Sequence, residues 1–142
     1  MRILAVDPGQ KRIGIAISDP SGRVAFPLTV IPHCSKQVDA GRIAALAEQH
    51  GVDLILVGQA LGLDQQPTLQ GRRSLNLAQA IRARTQIPVV LHDEYETTQI
   101  VLNARKEMGA KSKKRGLNID AYAAVVLLQS YIESRSLSDH AE

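Results

Sequence analysis

Four carboxylates at the ends of predicted elements are the residues of this chain best placed to do chemistry. Asp7 closes an apolar run, Ile3-Leu4-Ala5-Val6, that reads as a buried strand. Asp93-Glu94 closes a second, Val89-Val90-Leu91-His92, and Asp120 follows Asn118, a favoured N-cap, into the first turn of a predicted helix. A carboxylate at the tip of a buried strand is costly unless a metal, a cation or a hydrogen-bond donor meets it. Successive strand residues face opposite ways, so only one of Asp93 and Glu94 can share a site with Asp7. The longer Glu94 is the choice, and Asp93 stays open as the alternative. Three such acids at one edge would suit Mg²⁺ or Mn²⁺, hard cations that keep waters for a substrate phosphate to replace. Two ions about 4 Å apart can clamp the attacking and leaving oxygens of a phosphodiester. Lys11 and Arg12 put two cations beside Asp7.

The elements that must position these acids follow from pattern and punctuation. Pro8-Gly9 predicts a tight turn, with proline presetting φ at the first corner and glycine taking φ > 0 at the second. Ile13, Ile15 and Ile17 alternate with Gly14 and Ala16 in a second strand, and Asp19-Pro20-Ser21-Gly22 makes another turn. Arg23–Ile31 reads as a third strand, with Pro27 implying an edge position or a bulge. A helix begins around Cys34–Asp39, buries Ala40, Ile43, Ala44, Leu46 and Ala47, and stops at Gly51. Val52–Val57 reads as a strand buried on both faces, followed by a polar loop, Gly58–Thr68.

A helix over Leu69–Arg84 is basic on one side through Arg72, Arg73, Arg82 and Arg84. After the strand Val89–His92 come a helix from about Thr97 to about Met108 and a basic loop, Gly109–Leu117. An apolar last helix runs from near Asn118, and residues 137–142 are expected to be a disordered tail. The fold class is therefore α/β: a mixed five-stranded sheet, with a three-stranded antiparallel meander plus parallel strands, flanked by helices. Chemistry in such sheets collects at the carboxyl ends of the parallel strands, which would gather Asp7, the Gly58 loop and Asp93 or Glu94.

Composition narrows the partners. At 142 residues the chain is most simply one domain, residues 1–136, with hydrophobic content of 44% and charged content of 22%. Aromatics at 3% with no Trp leave little for base-stacking platforms, while a net charge of +3 is compatible with a polyanion. One cysteine, Cys34, excludes an internal disulfide and a Cys-rich zinc site. Residues 1–6 enter the first strand directly and no apolar run reaches membrane-spanning length, so a cytoplasmic protein without membrane contact is expected. His33, His50, His92 and His140 have no metal-ligand spacing and are assigned structural or surface places.

Four segments in this order, DPGQKRIGIAISD, VGQALGLD, VVLHDEYETT and NIDAYAAVVLLQSYIE, resemble the YqgF (RuvX) family over about Arg2 to Glu133. Members of that family are described as Holliday-junction-resolvase-like proteins and as nucleases of pre-16S ribosomal RNA. The resemblance implies a ribonuclease-H-like fold and divalent-metal nuclease chemistry, with Asp7, Glu94 and Asp120 as ligands and Lys11 and Arg12 near substrate phosphate. Arg72, Arg73, Lys111, Lys113, Lys114 and Arg115 would then hold the backbone of structured RNA or branched DNA. Two departures fall at the same edge. Tyr95 stands where the family usually has arginine, and Gly58-Gln59-Ala60-Leu61 replaces its usual G-L-P-L. The alternatives are a junction resolvase, for which a homodimer would serve, and a non-catalytic nucleic-acid-binding scaffold. An actin-like phosphotransferase would need a duplicated domain for which 142 residues leave no room.

Overall fold

The alternation inside β1 (Ile3–Pro8) sets the architecture, because it feeds two cores at once. Leu4 and Val6 face one side and Ile3 and Ala5 the other, and all four are at most 1% exposed. A strand of this kind must be covered on both faces. The computed structural model describes residues 1–59, 68–93 and 119–140, the side chains of 119, 120 and 136–140 excepted. β1 is followed by β2 (Arg12–Ser18), β3 (Ala25–Pro32), α1 (Lys36–Gln49), β4 (Leu54–Gln59), α2 (Leu69–Arg82), β5 (Val89–Asp93) and α3 (Ile119–His140).

The sheet runs β3-β2-β1-β4-β5. β1, β2 and β3 form the antiparallel meander, while β1, β4 and β5 are parallel, so the expected mixed five-stranded sheet is present. Ala40, Ile43 and Ala47 of α1 and Leu77, Ala78 and Ile81 of α2 cover the face of Leu4 and Val6. Ala124, Leu127 and Leu128 of α3 cover the face of Ile3 and Ala5. Among the described residues no helix is long and apolar enough to cross a membrane.

Local chemistry accounts for the boundaries. Ser35 caps α1 by accepting from the Val38 N–H at 3.2 Å, and Thr68 caps α2 from the Gly71 N–H at 3.1 Å. Gly51, at φ 62°, ends α1 in the left-handed region, as its place after the apolar stripe predicts. Pro27 lies on an edge strand beside a bulge, since Thr29 pairs with Ile15 and Pro27 with Ala16, leaving Leu28 over. In the β2–β3 turn, Asp19 accepts from the Ser21 hydroxyl and from the Val24 and Arg23 N–H groups, which holds its carboxyl well below the usual range.

Several expectations need correction. Gly9 does not adopt positive φ; among the described glycines Gly22 and Gly51 do. α2 runs to Arg82, whose Nε and Nη2 donate to the Val89 carbonyl of β5 at 3.2 and 2.7 Å. Leu46 is only half-buried. α3 continues to His140, past Ser136 where a tail was expected to begin.

Candidate active site

Asp7 is the penultimate residue of β1, and strand register fixes its surroundings. Directly opposite it on β2 is Gly14. The β1–β4 register, which pairs Val6 with Val57, brings Asp7 level with Gly58, and Gly58 pairs with His92 on β5. Alternation places Asp7 on the face of Ile3 and Ala5, the one that α3 covers. The row across this edge therefore reads Gly14, Asp7, Gly58, His92. Both strands beside Asp7 lack a side chain at its level, and the next positions in the row that carry one, Val30 on β3 and His92 on β5, are each roughly 10 Å away across two strand spacings.

His92 is held in place. Its Nε2 lies 3.2 Å from Ser130 Oγ on α3, and its ring meets Tyr131 edge-on at 5.5 Å between centroids. The Asp7 carboxylate differs: it is half-buried, and among the described residues it accepts no hydrogen bond and pairs with no cation. A hard oxygen donor with no partner among the described residues, between two glycines on the neighbouring strands, fits Mg²⁺ or Mn²⁺.

The other candidate residues separate clearly. Asp93 pairs with Gln59 and, by alternation with Val89 and Leu91, lies on the α1/α2 face, opposite Asp7. Glu94 lies outside the described residues, as do Lys111, Lys113, Lys114, Arg115, Tyr95, Thr97 and Thr98. The backbone of Asp120 is in the first turn of α3.

Lys11 and Arg12 are exposed on the β1–β2 turn, which is closed by Gly9 N–H donating to the Arg12 carbonyl at 3.0 Å. The need for glycine at position 9 is closeness rather than φ. A Cβ there would fall well inside contact distance of the Arg12 carbonyl oxygen. Gly9→Ala is therefore expected to open the turn and displace Lys11 and Arg12. Nucleic-acid affinity, measured by filter binding, should fall about tenfold, with far-ultraviolet dichroism unchanged.

Arg72 and Arg73 are exposed near the start of α2. That start is tied to the residue after Asp7: Gln70 Nε2 donates to the Pro8 carbonyl at 2.8 Å, and Arg73 Nη1 donates to Gln70 Oε1 at 3.3 Å. No sequence signal marked Gln70, since a glutamine in a first helical turn is ordinary. Arg84 instead reaches α1, donating to Gln37 Oε1 at 3.4 Å.

Comparison with known proteins identifies the family of the chain. Residues 1–134 match the family model RuvX, described as Holliday junction resolvase. A curated protein of Acetivibrio thermocellus, named "Putative pre-16S rRNA nuclease", is 37% identical over 137 residues, covering 95% of this chain and 97% of its own. A protein of the same name from Desulforudis audaxviator is 33% identical over 135 residues, covering 95% and 96%. Among solved structures, Thermus thermophilus RuvC in complex with a Holliday junction aligns with a TM-score of 0.58 at 17% identity, covering 96% of each chain. The fowlpox virus resolvase with its junction DNA aligns at 0.58 and 14%, covering 94% of this chain and 98% of that one. These structural likenesses bear on the fold, which is ribonuclease-H-like.

Proposed function

The chain belongs to the RuvX (YqgF) family of nucleases, and from that premise we propose that it is a divalent-metal-dependent endonuclease that trims the 5′ end of pre-16S ribosomal RNA. The observation that carries the reading is the Asp7 carboxylate, unpartnered among the described residues, between Gly14 and Gly58 at the carboxyl edge of the parallel strands. Glu94 is the second ligand of the proposal, favoured because Asp93 takes the other face. Asp120, one helical turn before the buried Ala124, is the third.

Ions bound there would supply positive charge to the phosphoryl oxygens and acidify an attacking water. The chain's own contribution is placement. The glycine gap admits a phosphate to the Asp7 edge, and Lys11 and Arg12 meet the strand beside it. Arg72, Arg73, Lys111, Lys113, Lys114 and Arg115 hold the flanking backbone. Such contacts read charge and shape rather than sequence. With about four phosphate contacts, affinity should fall roughly a hundredfold between 50 and 200 mM salt, as a titration at fixed pH would register.

The deciding assay incubates end-labelled structured RNA and a four-way DNA junction with the protein in Mg²⁺, in Mn²⁺ and in EDTA. Cuts in the RNA that need the metal are the expected result. Cuts confined to the junction would favour the resolvase activity that the family description names. No cuts, with binding retained in EDTA, would leave a scaffold.

A further inference from the structure

We infer that a cavity on the other side of the β1 tip from Asp7 is a binding subsite for one nucleotide of the strand. It lies between the β1–β2 turn, the start of α1 and the first turns of α2, and has a volume of about 130 Å³. A cavity of ~150 Å³ accommodates benzene, so this one is of the size of a single-ring base. Its apolar wall is Pro8, Ile13 and Leu77, and its rim carries the Lys36 ammonium, the Arg73 guanidinium and the His33 imidazole. An apolar wall for a ring beside three nitrogen groups for an anion is the pattern a nucleoside monophosphate would match.

The rim is prepared for an anion. Asp39, the acid in the lining, is 1% exposed, and its two oxygens are already engaged. Oδ2 lies 2.5 Å from His33 Nδ1, and Oδ1 accepts from the Cys34 N–H at 3.0 Å. This contact fixes the His33 ring and leaves Nε2 as its free nitrogen, as a carboxylate does for the imidazoles of many catalytic and metal sites. The His33 N–H also donates to the Lys11 carbonyl at 2.9 Å, tying the rim to the turn after Asp7. The Lys36 ammonium has no hydrogen bond or ion pair among the described residues.

Position gives the cavity its place in the reaction. Pro8, which lines it, is bonded to Asp7, and Gln70 joins the Pro8 carbonyl to Arg73. A strand with one phosphate at the Asp7 edge could pass over the β1 tip and seat a neighbouring nucleotide here. Resting as it does on the nuclease reading, this subsite would select where along the strand the cut falls.

The test keeps binding separate from cleavage. The full chain is titrated in EDTA with uridine 5′-monophosphate, with uridine and with inorganic phosphate, followed by ¹H–¹⁵N spectra. Saturable shifts centred on His33, Lys36, Arg73 and Leu77 are expected for the nucleotide, with uridine and phosphate each at least tenfold weaker. Lys36→Ala, an exposed substitution, should weaken the nucleotide at least tenfold. Absence of saturable shifts at these residues, equal binding by Lys36→Ala, or phosphate binding as tightly as the nucleotide would each overturn the inference. RNA cleavage by the same preparation separates the two claims. A saturating cavity in a protein that cuts nothing leaves the subsite and removes the nuclease, whereas cutting with a silent cavity does the reverse.

Discussion

Asp7→Asn is expected to lower the rate of RNA cleavage by at least about a thousandfold while leaving thermal stability almost unchanged. A thousandfold corresponds to about 4 kcal/mol of transition-state stabilisation, a reasonable loss for the acid at the centre of a metal site. Asparagine keeps the shape and one oxygen but removes the charge that holds a hard cation. Stability should hardly respond, because the carboxylate makes no hydrogen bond or ion pair among the described residues and is half-buried beside two glycines. A change within about 0.5 kcal/mol shifts the melting temperature by at most about 2 °C in a chain of this size. Single-turnover rates and a melting curve on the same preparation check both halves. A parallel collapse of rate and melting temperature would make Asp7 structural instead.

Ala124→Leu is expected to do the opposite, damaging stability and rate together. Ala124 is fully buried in the core cluster that also holds Ile3, Ala5, Ala16 and Leu56. Ala5 and Ala16 lie directly opposite one another on β1 and β2, so the cluster between α3 and the sheet holds three alanines. Small side chains on both surfaces let the helix backbone sit close. Leucine there adds three carbons to a filled space, which costs about 1–3 kcal/mol in strain and displacement. The melting temperature should drop by roughly 3–10 °C. The helix can relieve the strain by moving outward, and Asp120 is one turn away on the same backbone. A displacement of about 1 Å at a reacting group can cost a hundredfold, so the rate below the transition should fall about 10- to 100-fold. Leu127→Met, which conserves volume at another buried position of α3, is the control and should lose less than about 1.5 kcal/mol.

Much of this could be read from local pattern. The apolar run Ile3–Val6, the Ile13, Ile15 and Ile17 alternation and the capping residues dictate strands and helices through nearest-neighbour chemistry. The rule for parallel sheets then drew attention to Asp7 at the carboxyl edge of the parallel strands. Register was not legible, because pairing between strands depends on side chains distant in sequence. Gly14 looked like a spacer in an alternating strand and Gly58 like the start of a loop, yet together they make the gap around Asp7. The choice against Asp93 likewise rests on its sharing a face with Val89 and Leu91, whereas side-chain length had been the sequence argument. His33 and Asp39 are six residues apart and carry no motif, so only the fold brings them together.

The most direct measurement is to let the metal report its own position. Fe²⁺ in place of Mg²⁺, with ascorbate and peroxide, produces hydroxyl radicals that cut the polypeptide beside the bound ion. Fragments ending close to Asp7, Glu94 and Asp120 are expected, suppressed by excess Mg²⁺ and lost together in Asp7→Asn. Cuts at other sites, or the same cuts surviving in Asp7→Asn, would contradict a metal held at this edge.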